Sequence, residues 1–166
     1  MEIEFFDMFF RLFAALILGA FIGVERRSKG KVAGIRTMML VSLGAAAFTV
    51  TGLAAMESLM SAEQAAAAAK AAAGEPALNT VSLVRLDTSR VIAGIVGGIG
   101  FIGAGTIIQA RGRVHGVTTA SCIWVAAAVG VACGLSQYSI AIVVAVLAVV
   151  ALLIYDLGTP PSAEAE

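Results

Sequence analysis

The chain has 166 residues, of which 60% are apolar and only 13% charged. Soluble domains carry about 25% charged residues, and the mean hydropathy is +0.97. A water-soluble globular fold is therefore excluded and an integral membrane protein is expected. The formal net charge is zero, so nothing in the charge balance points to a nucleic-acid partner.

A membrane-crossing helix needs about 20 apolar residues, and five such stretches follow one another. The first covers residues 5–24 and holds a small-xxx-small ladder, Ala15, Gly19 and Gly23. The acidic start "MEIEFFD" precedes it and the basic cluster follows it, the reverse of a cleavable signal peptide. Arg26, Arg27, Lys29, Lys31 and Arg36 then lead into the second stretch, residues 37–59. Residues 61–80, "SAEQAAAAAKAAAGEPALNT", are expected to form a short alanine helix at the outer surface, ended by Gly74-Glu75-Pro76. Residues 78–86 would run along the interface before the third stretch, residues 91–110.

Arg111, Arg113 and His115 separate that stretch from the fourth, residues 117–135, which carries a second ladder, Ala126, Gly130 and Gly134. Cys122 and Cys133 lie in this stretch, about 16 Å apart along a helix, too far for a mutual disulfide. They read as small buried apolar residues. Thr118, Thr119 and Ser121 open the stretch, and Trp124 lies deeper, where packing is its expected role. A tight turn near Gly134–Gln137 makes the fifth stretch, residues 138–157, an antiparallel neighbour of the fourth. Residues 158–166 form a tail expected to be disordered.

Lys and Arg concentrate in the first and third connections, which the positive-inside rule places in the cytoplasm. The expected fold is an all-α bundle of five transmembrane helices in one domain, residues 1–157. Its N-terminus is outside, its C-terminus in the cytoplasm, and residues 61–80 form an extracytoplasmic loop.

The third stretch contains "GIGFIG", Gly98 to Gly103, a G-x-G-x-x-G pattern. A dinucleotide fingerprint needs a preceding strand and an acidic residue about 20 positions on. The next acid after Asp87 is Asp156, so no nucleotide partner is expected. In lipid, glycines let helix backbones approach closely. Gly94, Gly98 and Gly105 share one face with Gly97 beside them, while Gly100 and Gly103 lie on another side. Two readings stand: a smooth central helix against which neighbours pack, or a broken helix that exposes carbonyls to an ion.

Charges lie only at the ends of the spans. Asp7 and Arg11, four apart, share a helical face, as do Asp87 and Arg90, three apart. These four form a candidate outer polar network or ligand site that holds spans one and three in register, with Asp87 the candidate for a metal contact. Glu25 ends an apolar helix where the dipole disfavours an anion, so it needs a cation. Glu25, Arg26 and Arg36 form the candidate inner network. No nucleophile–base pair, zinc motif or cofactor motif is present in the sequence, so no catalytic residue and no cofactor are assigned.

Three blocks carry a resemblance: "RLFAALILGAFIGVERRSKGKVAGIRTMMLVSLGAAAFTVTG", "DTSRVIAGIVGGIGFIGAGTII" and "VHGVTTASCIWVAAAVGVACG". In this order they closely resemble the membrane domain of the MgtC/SapB family, without the C-terminal cytosolic domain found in the MgtC branch. Met38 stands where many members have histidine. The family's polar positions match Arg11, Glu25, Arg26, Arg36, Asp87 and Arg90, and its glycine block matches Gly98, Gly100, Gly103 and Gly105.

The resemblance implies a five-span protein of the bacterial inner membrane, linked to growth under low magnesium. Two functions are expected from it and from the residues. One is regulation by helix association, as a homo-oligomer or with another membrane-protein complex, in contact with membrane lipid. The other is transport of Mg2+ or another small solute. A magnesium path wants several oxygen ligands near one point, and no Asp or Glu lies at mid-span.

Overall fold

A computed structural model describes residues 4–73, 88–110 and 112–158. The first apolar stretch folds as α1, Phe5–Ser28, and the second as α2, Ile35–Ala72. The third is α3, Thr88–Gly105, followed by two three-residue strands, β1 (Ile108–Ala110) and β2 (Arg113–His115). The last two are α4, Val117–Gly134, and α5, Tyr138–Gly158. Four of the five helices, α1 to α4, are long and apolar enough to cross a membrane.

Two boundaries differ from the sequence expectation. The alanine segment is no separate helix over 61–72: it continues α2 without a break, giving 38 residues, or about 57 Å. That exceeds a hydrocarbon core of about 30 Å. No glycine or proline lies between Gly52 and Gly74, and alanine is the best helix former, so nothing stops the helix where the apolar stretch ends. The third helix stops at Gly105, earlier than expected. Thr106 Oγ1 donates to the Gly103 carbonyl at 2.7 Å, and the chain turns into the antiparallel pair β1–β2, with Gln109 opposite Val114. Gly112 and Gly116 take positive φ of 77° and 90° at the turn and at the start of α4, conformations that favour glycine. Residues 78–86, Asp87, Arg111 and the tail 159–166 lie outside the described residues.

The interior is built where α1, α2 and α4 cross, and small residues set their spacing. A Cβ on Gly19 would lie 2.6 Å from the Met38 carbonyl oxygen, and one on Gly23 would lie 2.5 Å from the Ile35 Cα. A Cβ on Gly130 would collide with the Ser42 carbonyl, and one on Gly134 would lie 2.7 Å from the Thr49 Cβ. Both ladders read from the sequence are thus filled within a single chain, each against α2. These contacts also set direction: α1 runs antiparallel to α2 and α4, which run parallel to each other. The α1–α2 connection and the hairpin therefore sit at the same end of the bundle.

The glycine-rich third helix is not central. That place belongs to α4, which packs on all four other helices and buries Thr119, Cys122, Ile123, Ala126, Ala127, Val129 and Gly130. Of α3 only Gly103 is buried. The physical reason is that a bare backbone permits close approach without attracting a neighbour. Alanine, cysteine and valine on α4 supply contact surface as well as smoothness, so the bundle closes around α4. The outward faces of α1 and α5 carry exposed Phe9, Phe13, Ile17, Val143, Leu147 and Ile154, a surface suited to lipid.

Candidate functional site

At the start of α1, Arg11 faces the end of α4. Its Nε donates to Asp7 Oδ2 at 2.8 Å and its Nη1 to the Gly134 carbonyl oxygen at 2.9 Å. The Asp7 pair follows from helical spacing of four. The Gly134 bond places a cation on the negative end of α4 and satisfies one of its last carbonyls. Arg11 is shielded, its side chain 15% exposed against 42% for Asp7.

The α4–α5 turn beside this contact closes with Ser136 N donating to the Cys133 carbonyl at 2.9 Å and Gln137 N to Ala132 at 2.8 Å. Ser136 takes φ of 60°. Tyr138 stacks edge-on against Phe10, ring centroids 5.2 Å apart. The hydroxyls of Ser136 and Tyr138 are buried without a hydrogen-bond partner among the described residues. Sequence reasoning placed Gly134 in a ladder and a turn but missed it as the partner of Arg11, and missed Ser136 and Tyr138. A cation about two turns into α1 and a glycine closing α4 were the available signals, but only packing brings them together.

The outer network is therefore assembled in part. Asp7 and Arg11 meet. Arg90 is exposed in the first turn of α3, whose packing partners are α2 and α4, and Asp87 lies outside the described residues. Among the described residues Arg11 ties α1 to α4, which holds the centre that α3 was expected to hold; the expected link between spans one and three runs through Asp87, outside the described residues.

At the other end of α1, Glu25 and Arg26 are both buried, 7% and 4% exposed. Arg26 Nε donates to Glu25 Oε2 at 2.5 Å and Nη2 to Oε1 at 2.9 Å, a bidentate pair. This meets the need for a cation beside Glu25 at the helix end. Two charges removed from water are tolerated only when closely paired and hydrogen-bonded. Arg36 is exposed in the first turn of α2; the structure closes the pair with Arg26. The pair lies near enough to Cys122 of α4 to act on it electrostatically. Cys122 and Cys133 are both free and buried.

The glycines of α3 divide sharply. A Cβ on Gly103 would make ordinary contact with Ala120, 3.6 Å from its Cβ, whereas Gly94, Gly97, Gly98, Gly100 and Gly105 face open space. The helix is continuous through them, so the broken-helix reading is not what the chain adopts. Gly52 of α2 sits against Val91, pinning the start of α3 to α2. Beyond that point the two helices leave an apolar groove of about 820 Å³, with Phe48, Thr51, Ile95, Gly98 and Ile102 among its walls. A smaller groove of about 270 Å³ separates α3 from α4, and Trp124 lines it, half exposed instead of packed in the core. Among the described residues no three His, Cys, Asp or Glu side chains gather as a metal site.

The MgtC family model matches residues 12–157, from the Arg11 end of α1 to the end of α5. The chain belongs to the MgtC family. It is 33% identical over 149 residues to a protein of Escherichia coli K12 named "Putative magnesium transporter YhiD", a match covering 90% of this chain and 60% of that one. It is 32% identical over 142 residues to Protein MgtC of Salmonella typhimurium LT2, covering 86% and 49% of the two chains. Protein SrpB of Synechococcus elongatus is 33% identical over 144 residues, covering 81% and 68%. The chain spans less than two thirds of the YhiD and MgtC relatives. No solved structure matches it.

Proposed function

We propose that this MgtC-family chain is a multi-pass protein of the bacterial inner membrane that works by helix association, with itself or with another membrane complex, in adaptation to low magnesium. In this reading all five helices cross the membrane, with the N-terminus outside and the C-terminus in the cytoplasm. One observation carries it. The ladders of α1 and α4 are filled within the chain, while five glycines of α3 face open space beside a wide apolar groove. Such smoothness serves helix packing in lipid, and among the described residues of the chain it is unused. The test is the associated fraction in native membranes, read by crosslinking, for the wild type and for Gly98→Leu. The wild type is expected to form a discrete assembly and the variant to lose it. A wild type that is strictly monomeric and crosslinks to nothing overturns the reading.

The second reading, transport of Mg2+ or another small solute, draws on the name carried by YhiD. It predicts flux in proteoliposomes containing the intact chain, and a folded preparation without flux for Mg2+ or other tested ions removes it. Neither reading assigns catalysis, a cofactor or a nucleotide.

A further inference from the structure

The end of the bundle that carries the α1–α2 connection and the hairpin has a composition unlike the rest of the surface. Arg27, Lys29 and Arg36 are exposed there, Lys31 is half-buried, and Arg113 and His115 are exposed on β2. Across residues 24–40 and 104–122 the sequence has one carboxylate, Glu25, and it is buried against Arg26. After residue 122 the next carboxylate along the sequence is Asp156, and the cations of the two connections outnumber it.

Aliphatic side chains stand exposed among these charges. Val32 is 96% exposed, Ile108 61% and Val114 56%. The strand register pairs Ile108 with His115 and Ala110 with Arg113. Cross-strand partners share a face, so one face of the hairpin combines two aliphatic residues with two basic ones. Both helices that begin at this end, α2 and α4, start after a glycine, with no side-chain cap and no acid in the first turn. Among the described residues no side chain caps these positive ends, which favour an anion.

We propose that this end is a binding surface for anionic phospholipid. The headgroup phosphate lies against Arg113, His115 and the first turn of α4, and Ile108 and Val32 enter the acyl boundary. Water alone would not favour two aliphatic side chains exposed beside cations, and a zwitterionic headgroup brings no net charge to complement them. A negatively charged lipid satisfies both at once, because its phosphate and chains are joined at the interface depth where these residues sit. The inference is independent of which function above is correct.

The test is native mass spectrometry of the full chain released from mixed micelles holding equal phosphatidylglycerol and phosphatidylcholine. The wild type is expected to retain phosphatidylglycerol over phosphatidylcholine by about fivefold for each cation engaged, with the preference falling as salt rises. Arg113→Gln with His115→Gln should bring the ratio toward one. Lys29→Gln with Lys31→Gln lies on a separate loop and should lower it in part, so misfolding of one variant does not end the test. Equal retention of the two lipids by the wild type overturns the proposal. So does an unchanged ratio in folded variants of both loops. Protection of the hairpin amides by free inorganic phosphate alone, as strong as that by phosphatidylglycerol, also overturns it by showing an anion site without a lipid surface.

Discussion

Gly130 on α4 and Gly98 on α3 are both glycines in apolar helices, yet their surroundings are opposite. Gly130 presses its backbone onto the Ser42 carbonyl, whereas Gly98 faces a groove with nothing within reach of a Cβ. The same residue type closes the bundle at one place and leaves a free surface at another. Glycine is therefore a permit for contact and no evidence of contact. What fills the permit is the neighbouring surface, supplied by Ser42 and Ala45 of α2 at the first site.

The sharpest way to break this contrast is Gly130→Leu. A side chain there must displace backbone of α2, and overpacking costs about 1–3 kcal/mol or more; loss of most folded, monodisperse protein in detergent is expected. Gly98→Leu should leave that yield unchanged. Equal losses at the two positions would mean that α3 is packed as tightly as α4.

A comparable loss is expected from Glu25→Gln, because buried Arg26 loses the carboxylate of its bidentate pair. Breaking a buried pair from one side costs about 3–5 kcal/mol, somewhat less here because Arg26 has a further interaction. Thermal unfolding in detergent reads it. Glu25→Leu with Arg26→Leu should recover much of the stability, which separates a charge left unpaired from a lost shape.

Arg11→Met sits in the middle of the range. It removes the donor to the Gly134 carbonyl and should cost about 1–3 kcal/mol, with Asp7→Asn costing less because Asp7 is more exposed than Arg11. Faster amide exchange at residues 131–137 is the specific sign of the lost clamp.

The smallest effect has the opposite sign. Gly97→Ala or Gly98→Ala, in protein held monomeric, should raise stability by about 0.5–1 kcal/mol, the ordinary gain of alanine over glycine within a helix. Gly19→Ala should lower it. Destabilisation by alanine in the monomer at all three positions would show that α3 is covered within the chain.

The sequence by itself determined the membrane class, five helices, the helical face shared by Asp7 and Arg11, the need of Glu25 for a cation without saying which one, and the two small-residue ladders without saying what they pack against. Each rests on local information: apolar length, spacing of four, or the need of an acid at a helix end for a cation. It could not rank the helices by centrality, since Gly94 to Gly105 and Gly130 to Gly134 look alike until their neighbours are known. Only the tertiary structure put α4 in the middle, turned Arg11 toward Gly134, and left five α3 glycines open among the described residues. Those outcomes depend on contacts between residues more than 80 positions apart in the cases of Ser42 with Gly130 and Arg11 with Gly134. Which of several similar surfaces buries the most contact area is a property of the whole assembly, and no single segment carries it.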